Sequence, residues 1–308
     1  MVSAENLVFR YGARTALDNV SFEVREREIF GVLGPNGGGK STLFKILATM
    51  LPPASGTARI RGFDIERQPA EVRRNIGVVF QSQSLDKKLT VEENLRSQGH
   101  LYGLRGAALG ERIERALTRL GLLDRRKDVV GTLSGGLQRR AEIAKSLLHS
   151  PAVVLMDEPS SGLDPAARRE LWRFIEELRD EQGITVLLTT HVLEEADRCD
   201  RLVLLHQGRL VAEGTPAELK ARIGGDVVVL ETAEPTAIQQ EIEARLGVKA
   251  ITADGTLRVE IADGHRFITR VVEAFPGAIR SFTLHKPTLE DVFLDETGVS
   301  IESPDARA

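Results

Sequence analysis

The sequence carries a single cysteine, Cys199, among 308 residues. No intrachain disulfide can form, so a disulfide-stapled secreted scaffold is excluded. Around Cys199 stand Asp197, Arg198 and Asp200, which make no metal-binding or nucleophile pattern; a small, partly buried side chain is expected. Aromatic residues are scarce at 5%, so any core rests on Leu, Val, Ile and Ala. Long apolar runs are missing too. None approaches the ~20 residues a membrane helix needs, and a run such as 152–156 is strand-sized. The first residues lack a basic start followed by an apolar stretch, so no secretory signal is expected. Nor is there a basic excess: 41 Lys and Arg stand against 45 Asp and Glu, a net charge of −4. Nucleic acid is therefore not an expected partner. Arg139 and Arg140 sit among acids and read as a solvated helix face. If the chain serves a membrane process, it must borrow the membrane part from a partner.

What is present is an ordinary globular balance, 42% hydrophobic and 28% charged. The length suggests about two domains. The runs 29–33, 152–156, 184–188 and 202–205 are almost wholly apolar, which suits strands buried on both faces of a parallel sheet. Helical patterns alternate with them. Leu43, Ile46, Leu47 and Met50 form one stripe after Lys40. Leu137, Ala141, Ala144, Leu147 and Leu148 form another, and a third helix over about 166–181 follows Pro165. Such alternation predicts an α/β fold with a mostly parallel core sheet. Residues 1–30 and 56–61 read as an antiparallel β flank. From about 86 to 147 the chain reads as an inserted helical subdomain. Gly224 and Gly225 break the pattern. Beyond them come strands near 227–230 and 257–261, a turn at Asp263-Gly264, a helix near 267–275, a last strand and a capped helix. The division is a cassette over 1–222 and a small C-terminal α+β domain over 223–308.

Gly34-Pro35-Asn36-Gly37-Gly38-Gly39-Lys40-Ser41 matches the phosphate-loop pattern G-x-x-x-x-G-K-[ST]. Glycines let backbone N–H groups turn inward around phosphate oxygens. The helix that follows offers its free N–H groups and positive dipole end to the same anion. Lys40 supplies a cation for the β- and γ-phosphates, and Ser41 a hydroxyl for Mg²⁺. The loop sits between a buried strand and an amphipathic helix, the context it requires.

Val153-Val154-Leu155-Met156-Asp157-Glu158-Pro159 ends a buried strand in two acids. Neighbouring strand residues point opposite ways. Asp157 can face a Mg²⁺ shell while Glu158 faces an attacking water. An acidic pair opening a turn is the plain alternative, and the phosphate loop weighs against it. Leu133-Ser134-Gly135-Gly136 starts a helix with a favoured cap and two glycines, a second anion cradle. One nucleotide needs one cradle, so a second hints at head-to-tail pairing of two chains. Gln81, Asp164 and His191 follow strands or precede helices, and each alone has an ordinary structural reading. His191 follows a buried strand, so it is expected at the sheet edge that carries Glu158.

In this order the elements resemble an ABC ATPase cassette, from about residue 3 to about residue 220. The resemblance covers the Walker A loop Gly34 to Ser41 with Thr42, the Q-loop Gln81 and the signature Leu133 to Gly136. It continues through the Walker B end Asp157-Glu158, the D-loop Ser161 to Asp164 and the switch His191. Tyr11 sits where the family often stacks an aromatic ring on adenine. The resemblance implies ATP and Mg²⁺ as cofactors, with Lys40, Glu158 and His191 in catalysis. Tyr11, Gly34, Pro35, Asn36, Gly37, Gly38, Gly39, Lys40, Ser41, Thr42, Gln81, Ser134, Gly135, Gly136 and Asp164 would bind nucleotide; Ser41, Gln81 and Asp157 would bind the metal. It also implies a head-to-tail homodimer, and a membrane permease on a separate chain at the cytoplasmic face of the cell membrane. Two positions depart from the family: Leu137 replaces a common Gln, and Gly38 a common Ala.

The tail Lys286-Pro287-Thr288-Leu289-Glu290-Asp291-Val292-Phe293-Leu294 resembles ABC-2-type exporter ATPases, including the daunorubicin-resistance type. That suggests drug, lipid or polysaccharide export. Thr288 and Asp291 make a capping box. Leu289, Val292 and Phe293 must dock on the chain's own cassette or on a second copy. A soluble ABC ATPase acting as a non-transport switch is the alternative function. A form acting on nucleic acid or ribosomes usually carries a long coiled coil, a second cassette or basic extensions, and none is visible; against an idle ATP-binding switch stand the intact Lys40, Asp157, Glu158 and His191.

Overall fold

A computed structural model describes residues 1–253 and 255–301. The expectations for 302–308 lie outside them. In chain order the elements are β1 (Val2–Tyr11), β2 (Arg14–Val24), β3 (Ile29–Leu33), α1 (Lys40–Leu47), β4 (Ser55–Ile60), β5 (Phe63–Asp64), α2 (Pro69–Asn75), β6 (Ile76–Val79), α3 (Val91–Leu101), α4 (Gly106–Arg119), α5 (Gly135–Leu147), β7 (Val153–Asp157), α6 (Pro165–Asp180), β8 (Thr185–Thr190), α7 (Leu193–Ala196), β9 (Arg201–His206), β10 (Arg209–Gly214), α8 (Pro216–Ala221), β11 (Asp226–Thr232), α9 (Pro235–Leu246), β12 (Ala250–Ala253), β13 (Thr256–Ile261), α10 (Gly264–Ala274), β14 (Ile279–His285) and α11 (Leu289–Thr297).

The four continuous apolar runs become the middle of one sheet, in the order β10-β9-β3-β8-β7-β6. Its strands are parallel except β10, which pairs antiparallel with β9. Both faces are covered, which is why alternation is lost. Val153 and Leu155 of β7 pack with Phe44 and Leu47 of α1 and with Leu7 and Val20 of the flank. Val154 and Met156 face the other way, onto Ile143 of α5 and Trp172 and Ile175 of α6. Each large side chain taken wholly from water contributes about 1.5–3 kcal/mol. The flank is a separate antiparallel sheet, β2-β1-β4-β5, as its alternating pattern predicts. Helices α3, α4 and α5 form the inserted helical region.

Met50 does not extend the α1 stripe. The helix stops at Leu47, and Met50 is 56% exposed. Cys199 is wholly rather than partly buried, its Sγ 3.6 Å from the Glu195 carbonyl. Burial, reinforced by the nearby Asp200, Glu195 and Asp197 charges, pushes its thiol far up.

The C-terminal unit has its own antiparallel sheet, β12-β13-β11-β14, and its own core with α9 and α10. Asp263-Gly264 is a helix start, not a turn: the Asp263 carboxylate accepts from the Arg266 N–H at 3.1 Å and caps α10. The capping box of α11 forms as expected. Leu289, Val292 and Phe293 dock on the chain's own cassette, in one cluster with Leu202, Leu204, Ala212 and Leu219. No helix among the described residues is long and apolar enough to cross a membrane.

Candidate nucleotide site

The loop between β3 and α1 is shaped by close approach. A Cβ at Gly34 would lie 2.2 Å from the Leu205 carbonyl, so only glycine lets the chain cross β9 there. Gly39 has φ +107°, and a Cβ on it would lie 2.6 Å from the Ala16 carbonyl. At Gly38 a Cβ would stand 3.2 Å from the Pro35 oxygen, so the missing methyl eases packing as well as adding loop entropy. No side chain caps α1. Its first N–H groups are left for an anion. In front of them opens a cleft of about 520 Å³. It runs from Tyr11 past Asn36, Gly37 and Gly39 to Lys40, Ser41 and Thr42, and reaches Gln81 and Glu158. Arg14 and Ala16 of β2 complete the wall. Arg14 donates to the Gly37 carbonyl at 3.3 Å, a contact no motif announces. Gly34, Pro35 and Gly38 form the backbone behind this wall: the Pro35 carbonyl accepts from the Gly38 N–H at 3.2 Å.

The charged groups converge on one carboxylate. Lys40 Nζ donates to the Gly34 and Pro35 carbonyls at 2.8 and 3.0 Å and stands 3.3 Å from Glu158 Oε1. His191 Nδ1 lies 3.2 Å from the same oxygen, and Gln81 Nε2 donates to Oε2 at 3.0 Å. The expected meeting of His191 with Glu158 at one sheet edge is therefore present. Burial works to raise the Glu158 carboxyl, but the hydrogen bonds and charges of His191 and Lys40 outweigh it and hold the group below its ordinary value. Burial also lowers the Lys40 ammonium, opposed mainly by Glu158.

Strand alternation alone does not aim Glu158. β7 ends at Asp157, and Glu158 has φ +45°, in the left-handed region. Thr189 of β8 secures both acids. Its hydroxyl donates to Asp157 Oδ1 at 2.5 Å, and the Glu158 N–H lies 3.0 Å from the same hydroxyl. Mg²⁺ takes one or two protein carboxylates and fills its shell with phosphate and water oxygens. Ser41 and Gln81 line the cleft; Asp157, buried at the end of β7 beside Glu158 and outside that lining, is the single carboxylate that could complete such a set.

Four expected site residues stand elsewhere. Ser134 caps α5, accepting from the Leu137 N–H at 3.4 Å, with Gly135 and Gly136 in the first turn. Asp164 caps α6, accepting from the Ala166 and Ala167 N–H groups at 2.9 and 3.0 Å. A Cβ at Gly136 would lie 3.2 Å from the Ala167 Cβ, so the two helix starts touch. None of Ser134, Gly135, Gly136 and Asp164 lines the cleft. Leu137 packs against the core beneath.

Arg139 corrects the sequence reading. It is 5% exposed and no part of a solvated face. It pairs with Glu142 at 3.0 Å and donates to the carbonyls of Phe80 and Glu158. Its neighbour Arg140 is the exposed-side partner of Glu170. Glu195 also escaped notice. Buried, it accepts from Ser160 and, at 2.7 Å, from Thr190, joining the starts of the segments that carry Asp164 and His191.

A wall of glycine backbone, a buried lysine and an acid at a strand end defines a phosphate-loop nucleotide site. The comparisons with known proteins narrow that class. The family described as ABC transporter matches residues 17–161, and the DrrA1-3-like ATP-binding protein C-terminal domain matches residues 214–297. Daunorubicin resistance ATP-binding protein DrrA2 of Streptomyces coeruleorubidus is 38% identical over 99% of this chain and 98% of its own length. The probable multidrug ABC transporter ATP-binding protein YbhF of Escherichia coli is 42% identical over 79% of this chain, which spans 41% of YbhF. A dimeric structure of the ATP-binding cassette MJ0796, in a post-hydrolysis state bound to ADP and Pi, superposes with a TM-score of 0.63 at 29% identity. That match covers 70% of this chain and 98% of MJ0796. The chain belongs to the ABC transporter ATP-binding family, with a DrrA-like C-terminal domain.

Proposed function

We propose that this chain binds MgATP in the cleft, hydrolyses it, and so drives export through a separate permease at the cytoplasmic face of the cell membrane. The observation that carries the reading is the placement of Glu158. It is an ionised carboxylate at the cleft wall, held by Lys40, His191 and Gln81. In the proposed reaction Tyr11 stacks on the base. The loop from Gly34 to Thr42 holds the phosphates, with Lys40 on the β- and γ-phosphates. Ser41, Gln81 and Asp157 hold Mg²⁺, which neutralises phosphate charge when bound. Glu158 takes a proton from water as the water oxygen bonds to the γ-phosphorus and the bond to the bridging oxygen breaks, releasing ADP and phosphate. His191 orients that water and the γ-phosphate.

Ser134, Gly135, Gly136 and Asp164 have no place in the cleft of their own chain. A second copy, head to tail, gives them one: each chain's signature closes the other's site. The dimeric structure of the MJ0796 cassette supports the pairing of two copies. The names of DrrA2, a daunorubicin resistance protein, and YbhF, a probable multidrug transporter protein, support a drug as cargo within the wider drug, lipid or polysaccharide class. Residues 1–222 act as the motor, and the unit from residue 223 regulates or steadies the dimer.

Glu158→Gln tests the reading, because it keeps size and polarity but removes the base. Hydrolysis should fall by about 10²–10⁴-fold, while ATP still binds and an ATP-dependent dimer accumulates on size exclusion. A variant that hydrolyses at the wild-type rate would sink the assignment.

A further inference from the structure

Helix α5 starts at the signature serine and ends beneath the sheet, and three of its side chains grip one segment of backbone. Arg139 Nη1 donates to the Phe80 carbonyl at 2.6 Å, immediately before Gln81. Its Nη2 donates to the carbonyl of Glu158 at 3.3 Å. Glu142 pairs with Arg139 through one oxygen and accepts from the Ser84 N–H through the other, at 2.5 Å. Lys145 donates to the Ser84 carbonyl at 2.8 Å and to its hydroxyl at 3.0 Å. Residues 80–84 are thus hung at both ends on α5. Gln81, between the two attachments, closes the circuit by bonding to Glu158 Oε2.

Arg139 and Glu142 are 5% and 3% exposed. A buried ion pair is poor evidence of a stabilising role, because apolar side chains of similar volume often serve as well or better. What apolar side chains cannot do is hold two carbonyl groups in a fixed relation to a helix. A planar guanidinium with five donors can. We propose that the Arg139–Glu142 pair is a positioning device. It transmits the orientation of α5, and so of Ser134-Gly135-Gly136 at its head, to Gln81 and Glu158. Held so, Glu158 keeps its place as the base for the water that attacks nucleotide bound by its own chain, and any shift of α5 is passed to Gln81 and Glu158 through the same bonds. The inference rests on the ATPase reading of the cleft.

The test separates stability from positioning in the full-length chain. Arg139→Met combined with Glu142→Leu fills the same space without directed hydrogen bonds. Its melting temperature should stay near that of the wild type and its KM for MgATP should be unchanged. Its kcat should fall by about 10²-fold, the scale of a misplaced reacting group. Arg139→Lys keeps the charge for Glu142 but cannot span both carbonyls in one plane, and it should show a smaller loss, again in kcat. The pair is mere packing if the apolar double variant turns over at the wild-type rate, or if either variant loses activity through KM alone. Should the double variant fail to fold, Arg139→Lys decides, and full kcat in it overturns the proposal. Glu158→Gln is run alongside. If it matches the wild type, the ATPase reading has failed rather than the positioning device.

Discussion

Glu158 is 6% exposed, and the Lys40 ammonium and His191 Nδ1 both meet its Oε1. Burial favours the neutral acid, and the contacts of His191 and Lys40 reverse that preference. The sign gives a prediction. His191→Ala removes the strongest influence lowering the carboxyl, so its ionisation moves to higher pH. The acid limb of kcat against pH should shift upward together with a fall in kcat. A limb that stays in place would show that Lys40 alone keeps Glu158 charged. At this scale the sequence was informative where a motif fixes spacing, as for Lys40, Asp157, Glu158 and His191. It was silent where a residue acts through folded-state neighbours. Arg139 lies in a charged stretch, and composition cannot separate a solvated arginine from one whose partners, Phe80 and Glu158, are distant in the chain. Arg14 and Thr189 belong to the same group: ordinary strand residues until the sheet brings them to the loop and the acids.

Among elements, α11 is the most telling. It carries the second unit's attachment to the first, with Phe293 wholly buried and its ring edge-on to His206 at 5.5 Å. Phe293→Ala should destabilise the chain by about 3–5 kcal/mol, read from chemical denaturation, while MgATP affinity stays near that of the wild type. An unchanged midpoint would mean that Phe293 is not what fastens the helix. The capping box and apolar face of α11 were legible, since both are local patterns. The choice of docking partner was not, because an apolar face specifies burial but not against what. Continuous apolar runs marked the central strands well, since both faces are covered. Asp263-Gly264 misled for the opposite reason. The pair suits a turn, and only the bond from the Arg266 N–H shows that Asp263 opens a helix. Helix α9 and strand β12 were missed. The helix has only Ile242 fully buried, and the strand is four residues of Ala, Ile and Thr.

At the scale of the whole molecule, the cleft is lined without Ser134, Gly135 or Gly136, which stand at the start of α5. A mixture of chains tests whether two copies finish each other. A Lys40→Ala chain and a Ser134→Arg chain should each be inactive alone. Together they form a pair in which one site carries both defects and the other neither, so hydrolysis should reappear on mixing. Mixtures as dead as their components would place both residues in the same site and remove the head-to-tail arrangement. The docking of α11 has one further consequence, which concerns time rather than energy. The apolar band of Leu202, Leu204, Ala212 and Leu219 is synthesised well before Phe293, which covers it. At about 5–20 residues per second the ribosome leaves that band bare for several seconds. Each new chain therefore passes through an adhesive adolescence whose length is set by translation, not by the stability of the finished fold.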